Sequence, residues 1–329
     1  MSTFSINKMT LSIIILLFLI MTGAITYFTF VHTGKHTPTF SSIDCSKYPF
    51  INKTIDCAII DAEYSHTKSL DSETQRIIDE EKAAGHVTRA SVFYRDLNTR
   101  QWFGIDDTID FYAASLLKLP LSIIYFKLAE IDDKILNQKL TLDRVDRNSN
   151  EYFKAPETLS TEKQYTVQEL IRIMLQYSDN NPVPVLNSSI DQTLRSEILH
   201  DLGIESIPSN PLESTREISV RIYANILRQL YNASYLNLDY SNTLLEYLSQ
   251  TEFTSGIVAG LPKGITVAHK FGEATVSNAE GVPQLRVLHD CGIVYRPEKP
   301  YIICIMTEGH DFDQLSNVIK RITAASYKL

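Results

Sequence analysis

The chain has 329 residues, of which 44% are hydrophobic and 21% charged, with a net charge of −8. That is enough apolar material for a full core, and the length fits one large domain with an appendage. The negative balance, with no long basic run and no basic residues interleaved with aromatics, excludes a nucleic-acid backbone as partner.

From Met9 to Val31 no side chain is charged and Leu, Ile, Phe and Met dominate, a stretch long enough to span a bilayer with some tilt. The apolar run continues past Thr22-Gly23-Ala24, which favours an uncleaved anchor over a cleavable signal peptide. Lys8 precedes the span while His32, Lys35 and His36 follow it, so flanking charge alone does not set the orientation. Residues 32–70 hold no period of 2 or 3.6 and read as a stalk. Within it, Cys45 and Cys57 either close a small loop in an oxidising compartment or stay as two free thiols. The expected organisation is therefore an anchor at 1–31, an extracytoplasmic stalk at 32–70 and a folded domain at 71–329.

In the folded part, Leu70-Asp71-Ser72 opens a helix that runs to Ala84 and stops at Gly85, with Asp71 or Ser72 as its cap. Ala90–Arg95 and Gln101–Ile105 read as a strand pair joined by Asp96–Arg100. A buried helix then begins at Phe111-Tyr112-Ala113-Ala114-Ser115 and continues to about Ile131. The polar section Asp132–Lys163 has weak periodicity and is expected to border a site. From Thr166, the residues Val167, Leu170, Ile171, Met174 and Leu175 repeat at helical spacing, and Glu169 stands where a capping box needs it. This helix breaks at Ser178-Asp179-Asn180-Asn181-Pro182, a polar turn able to present side chains to a cleft. Further helices are expected at Asp191–Leu202, Thr215–Tyr231 and Tyr240–Thr251. Strands follow at Thr266–Phe271, Gln284–Tyr295 and Tyr301–Thr307, and Phe312, Leu315, Ile319 and Ile322 mark a C-terminal amphipathic helix. Two strands, then helices, then three strands and a helix is an α+β order whose first and last strands share one antiparallel sheet. The four residues Arg296–Lys299 set a hairpin register that puts Cys291 opposite Cys304, bonded only if the local geometry permits.

Ser115 and Lys118 are three residues apart, so on a helix the amine can approach the hydroxyl. A lysine desolvated by the surrounding Leu, Ile and Phe can lose its proton and accept that of a serine, and free N–H groups at the helix start can hold an oxyanion. Outside the stalk there is no His-x-x-x-His or Cys-x-x-Cys pair, and no Gly-rich phosphate loop is present, so neither a metal nor a cofactor is expected.

Ser115-x-x-Lys118, Ser178-Asp179-Asn180 and Lys270-Phe271-Gly272 resemble, in order and type, the Ser-x-x-Lys, Ser-Asp-Asn and Lys-Thr-Gly motifs of class A β-lactamases and penicillin-binding proteins. The resemblance runs from about Ala90 to the C-terminus and leaves out the first ~80 residues. It implies a five-stranded antiparallel sheet with flanking terminal helices, an inserted all-helical half, and a site between the halves. By the same resemblance, Ser115 attacks a carbonyl and becomes acylated, and Lys118 takes its proton. Ser178 relays a proton to the leaving nitrogen, and Asn180 binds the substrate amide and steadies Lys118. Lys270 faces the substrate carboxylate, Gly272 lets the ligand approach, and the N–H groups of Ser115 and Glu273 hold the oxyanion. Phe271 departs from the family's small hydroxyl residue, but the middle residue of a strand triplet points away from the face its neighbours share.

The substrate class implied is a small β-lactam or a peptide of the D-Ala-D-Ala type, acted on outside the cytoplasm by a single-pass membrane enzyme. A D,D-peptidase acting on the cell wall is one alternative, and a non-catalytic binding protein on the same scaffold is another. Class A enzymes also carry Glu-x-x-Leu-Asn after Ser-Asp-Asn, whose glutamate activates the deacylating water. No glutamate between Asn180 and Lys270 is followed by x-x-Leu-Asn. Glu213, in the turn Ile207–Glu213, is the nearest candidate by position; its other reading is early negative charge for the helix expected from Thr215. Acylation followed by slow deacylation is the consequence.

Overall fold

The computed structural model describes residues 50, 67–146, 151–154, 156, 159–204, 217–278 and 280–328, all within the unit Asp44–Leu329. The span expected at Met9–Val31, the cysteines at 45 and 57, and Glu213 lie outside the described residues.

Helix α1 (Thr67–Ala83) starts earlier than the expected Leu70–Ser72 boundary, so Asp71 and Ser72 lie inside it. Leu70, Ile77 and Ile78 share one face and are all buried, and that packing extends the helix beyond its local signals. Gly85 ends it at φ +75°, a left-handed position that glycine takes without a Cβ penalty. Strands β1 (Arg89–Asp96), β2 (Trp102–Ile105) and β3 (Asp110–Tyr112) follow. A 3₁₀ turn over Ala114–Leu117 leads directly into α2 (Lys118–Ala129), so the helix expected from Phe111 begins only after β3 and this turn, and it stops two residues short of expectation. Next come α3 (Lys134–Asn137), β4 (Lys139–Thr141), β5 (Gln164–Thr166) and α4 (Val167–Gln176). Both arms of the capping box form at the start of α4: Thr166 accepts from the Glu169 N–H, and Glu169 accepts from the Thr166 N–H.

Helix α5 (Pro182–Ser188) was not expected; its proline occupies the first helical position, where a missing N–H costs nothing. Helix α6 (Gln192–Asp201) is capped by Asp191. The expected helix from Thr215 is shorter, because Glu217–Ser219 forms β6 and pairs with β3, matching Ile218 to Phe111. Helix α7 (Val220–Tyr231) begins after it, with Ser219 as its cap. Then follow α8 (Leu238–Ser249), β7 (Val267–Ser277), β8 (Pro283–Val294), β9 (Tyr301–Gly309) and α9 (Phe312–Tyr327).

The main sheet is antiparallel in the order β2-β1-β9-β8-β7, so the first and last strands of the chain do share it. Strands β1, β7, β8 and β9 each serve two cores. On β9, Ile302, Cys304 and Met306 belong to the core shared with the helical half, while Ile303 and Ile305 belong to the core under the terminal helices α1 and α9. Burial on both faces makes such a strand continuously apolar rather than alternating. Cys291 pairs with Cys304 in the β8–β9 register, as the turn length required, and the two are joined by a disulfide with Cα atoms 3.9 Å apart. Strand β7 lies at the sheet edge and faces the 3₁₀ turn.

Candidate active site

Three chain segments, far apart in sequence, meet at one cavity of about 260 Å³ whose walls include Ser115, Lys118, Asn180 and Glu273. Ser115 sits in the 3₁₀ turn, preceded by Ala114 at φ +47°, a conformation uncommon for a residue with a Cβ. Lys118, the first residue of α2, is 5% exposed. Its Nζ lies 2.9 Å from Ser115 Oγ and 3.2 Å from Ser178 Oγ, and it donates to the Ser178 carbonyl. Burial among apolar groups disfavours the ammonium and lowers the Lys118 pKa to about 7, against the pull of Glu151, Asp179 and Glu273. At neutral pH much of the amine is therefore unprotonated, with N–H groups for the Ser178 carbonyl and a lone pair for the Ser115 proton.

Ser178 lies between α4 and α5 at φ +56°, an unfavourable backbone for serine that its contacts hold in place. Its hydroxyl accepts from Lys270 Nζ at 2.7 Å as well as from Lys118, so one oxygen joins two amines. Lys270 is fully buried on β7 and also donates to the Phe271 carbonyl at 2.7 Å. Desolvation, followed by repulsion from Lys118, drives its pKa well below the ordinary lysine range. Phe271 packs in the opposite core, stacked on Phe253 with centroids 4.3 Å apart. What approaches Gly272 closely is the nucleophile's own turn. A Cβ there would lie 3.1 Å from the Ala113 oxygen and 3.2 Å from the Leu116 nitrogen, so glycine lets β7 close on Ser115.

Asn180 does not contact Lys118 through a hydrogen bond. Its Nδ2 donates to Glu151 Oε1 at 2.6 Å, and Lys118 is held by the two serines instead. The Glu273 carboxylate accepts from the Tyr152 and Phe153 N–H groups at 2.7 and 2.9 Å, tying residues 152–153 to the edge strand. Burial raises the pKa of both Glu151 and Glu273. The sequence offered no signal for Glu151, which lies in an aperiodic polar stretch outside any motif.

Two buried histidines set the strands behind the site. His269 on β7 bonds Asp290 on β8 through Nδ1 at 2.7 Å, and Asp290 also accepts from the Ile257 N–H at 2.8 Å. His289 Nε2 lies 3.0 Å from the Tyr112 carbonyl, while its Nδ1 accepts from the Thr307 N–H at 3.2 Å. That pattern requires the neutral ring with its proton on Nε2, and burial lowers its pKa from 6.5 to about 4. The unfolded chain therefore binds the extra proton first. Stability carried by His289 is complete above pH ~6.5 and is lost as pH falls toward 4, a change on the order of 3 kcal/mol. Urea unfolding of the wild type and of His289→Gln over this range should show that part of the pH slope only in the wild type; equal slopes would refute it.

A hydroxyl beside an amine of near-neutral pKa, a second hydroxyl between two amines, and an amide at the rim form a constellation suited to acyl transfer. Among the described residues, no group of three His, Cys, Asp or Glu is placed to hold a metal ion.

Solved structures of 17–22% identity share this fold. A mutant of PBP-A, solved as an acyl-enzyme complex with penicillin G, is 22% identical with a TM-score of 0.65, covering 79% of this chain and 96% of its own. A β-lactamase from Chitinophaga pinensis is 20% identical with a TM-score of 0.65 and coverages of 78% and 98%. A class A β-lactamase from Mycobacterium abscessus is 18% identical, also at 0.65, with coverages of 78% and 98%. No curated protein sequence gives a significant match. These likenesses define a β-lactamase/transpeptidase-like α+β fold. The model of the beta-lactamase enzyme family matches residues 69–329, and the chain belongs to that family. It is a β-lactamase-like serine hydrolase.

Proposed function

We propose that the protein opens β-lactam amide bonds through an acyl-enzyme on Ser115 and deacylates slowly. The observation that carries this is the 2.9 Å contact between Ser115 Oγ and a buried Lys118 amine whose pKa is about 7. Lys118 takes the Ser115 proton as Oγ attacks the lactam carbonyl, and the N–H groups of Ser115 and Glu273 hold the resulting oxyanion. The Ser178 hydroxyl, within reach of both lysines, delivers a proton to the departing nitrogen. Lys270 meets the substrate carboxylate, whose charge restores the proton that burial disfavours. Asn180 receives the side-chain amide of the substrate once that group displaces Glu151. Glu213, outside the described residues, remains the candidate for the deacylating base.

The enzyme is exported and held at the cell membrane by Met9–Val31, with a stalk over 32–70 and the catalytic domain, 71–329, outside the cytoplasm. The charge-free apolar run supports the anchor, and the Cys291–Cys304 bond agrees with an oxidising compartment. Among the described residues no helix is long and apolar enough to cross a membrane. A second reading, a D,D-peptidase acting on cell-wall peptides, is favoured by the missing Glu-x-x-Leu-Asn, since both activities share the acylation step. Labelling with a fluorescent penicillin tests the proposal: the wild type should carry a covalent label that Ser115→Ala lacks, and undiminished labelling of the variant would overturn it.

A further inference from the structure

A second cavity, of about 590 Å³, shares no wall residue with the Ser115 cavity. One side comes from the β1–β2 hairpin, whose register sets Arg95 opposite Trp102. Phe93, two residues earlier on the same face, stacks on the indole with centroids 5.7 Å apart. Helix α7 forms the other side, with Arg221, Asn225 and Arg228 spaced four and then three residues apart, a single helical stripe. Three guanidinium groups and the chain's one tryptophan thus face one hollow, in a protein of net charge −8.

Among the described residues, only one of the three guanidinium groups in this hollow meets a carboxylate. Arg221 meets Asp107 at 2.6 Å, a charge contact without hydrogen-bond alignment, and lies over the Trp102 ring at 4.9 Å. Arg228 is aimed by Asn225 Oδ1, which accepts from Nε at 3.2 Å and Nη2 at 2.6 Å, but an amide brings no counter-charge. The Arg95 guanidinium has no hydrogen-bond or ion-pair partner among the described residues. Burial, and then repulsion from Arg228 and Arg100, lowers its pKa. Since a guanidinium keeps its proton, that pressure is felt as a standing like-charge contact, which an anion between the two groups would relieve. Trp102 is 45% exposed at the sheet edge, leaving indole surface available beside them.

We propose that this hollow binds a small aromatic oxyanion. A carboxylate or phosphate sits between Arg95 and Arg228, and its attached flat ring lies against Trp102. Guanidinium forks match either oxyanion, and the indole with Leu202, Ile222 and Ala224 supplies the apolar surface for the ring. The site is independent of the Ser115 chemistry and can be tested separately. Trp102, as the single tryptophan, reports on the hollow by its own fluorescence. The full-length chain should give a saturable fluorescence change with phenyl phosphate and with benzoate, and inorganic phosphate should bind at least about tenfold more weakly for want of a ring. Tighter binding of phenyl phosphate would name a phosphate ester as the ligand chemistry, and tighter binding of benzoate a carboxylate. Arg95→Met should weaken the preferred probe by about tenfold or more, while Arg95→Lys, which keeps the charge without the fork, falls between. Both variants should still be labelled by penicillin at the wild-type rate. No saturable change with any probe, by fluorescence or by calorimetry, would overturn the proposal, as would wild-type affinity in Arg95→Met.

Discussion

Replacing Lys118 with Met should slow acylation of Ser115 by roughly a hundred- to ten-thousandfold, the span usual for loss of a general base. Methionine keeps most of the buried volume, so the change removes the amine with little disturbance of the α2 core. The pH dependence gives a sharper expectation. Because burial holds the Lys118 pKa at about 7, the protonated amine prevails below that point and cannot take the Ser115 proton. In the wild type the acylation rate should therefore rise through pH ~7 and level off above it, whereas Lys118→Met should be slow and lack this inflection. Stopped-flow measurement of lactam opening over pH 5.5–9 reads both features. A wild-type rate in the variant would show that another group activates the serine.

Once formed, the acyl-enzyme should persist. A deacylating water needs a base, and the segment after Asn180 lacks Glu-x-x-Leu-Asn. Mixing the chain with a chromogenic lactam should give a burst of about one equivalent, followed by turnover far slower than the burst. Rapid steady-state hydrolysis that disappears in Glu213→Ala would reverse this expectation and make Glu213 the base.

Elements with a long hydrophobic period or an explicit cap were legible in the sequence: the Thr166–Glu169 box, the amphipathic face of α9, and the hairpin register that paired Cys291 with Cys304. The three-residue ladders β3–β6 and β4–β5 were not, because strands this short have no period and form only when tertiary packing brings them together. Helix α5 was hidden for a different reason, Pro182 reading as part of a break although it begins a helix. At the site, the motif residues were readable by type and spacing, and Phe271 could be turned away from the cleft by strand alternation alone. The partners of those residues were not readable. That Asn180 turns to Glu151, that Glu273 holds the Tyr152 and Phe153 N–H groups, and that His289 joins β8 to β3 all depend on contacts between distant segments, which no local pattern encodes.

The central claim, a covalent intermediate on Ser115, is tested most directly by peptide mapping. The full chain would be incubated with penicillin G, quenched in acid over a time course and digested for mass spectrometry. The account predicts a penicilloyl group on the peptide containing Ser115, near stoichiometric at early times and still present long after free drug is removed. A label on any other residue, or no covalent adduct at any time point, would contradict it.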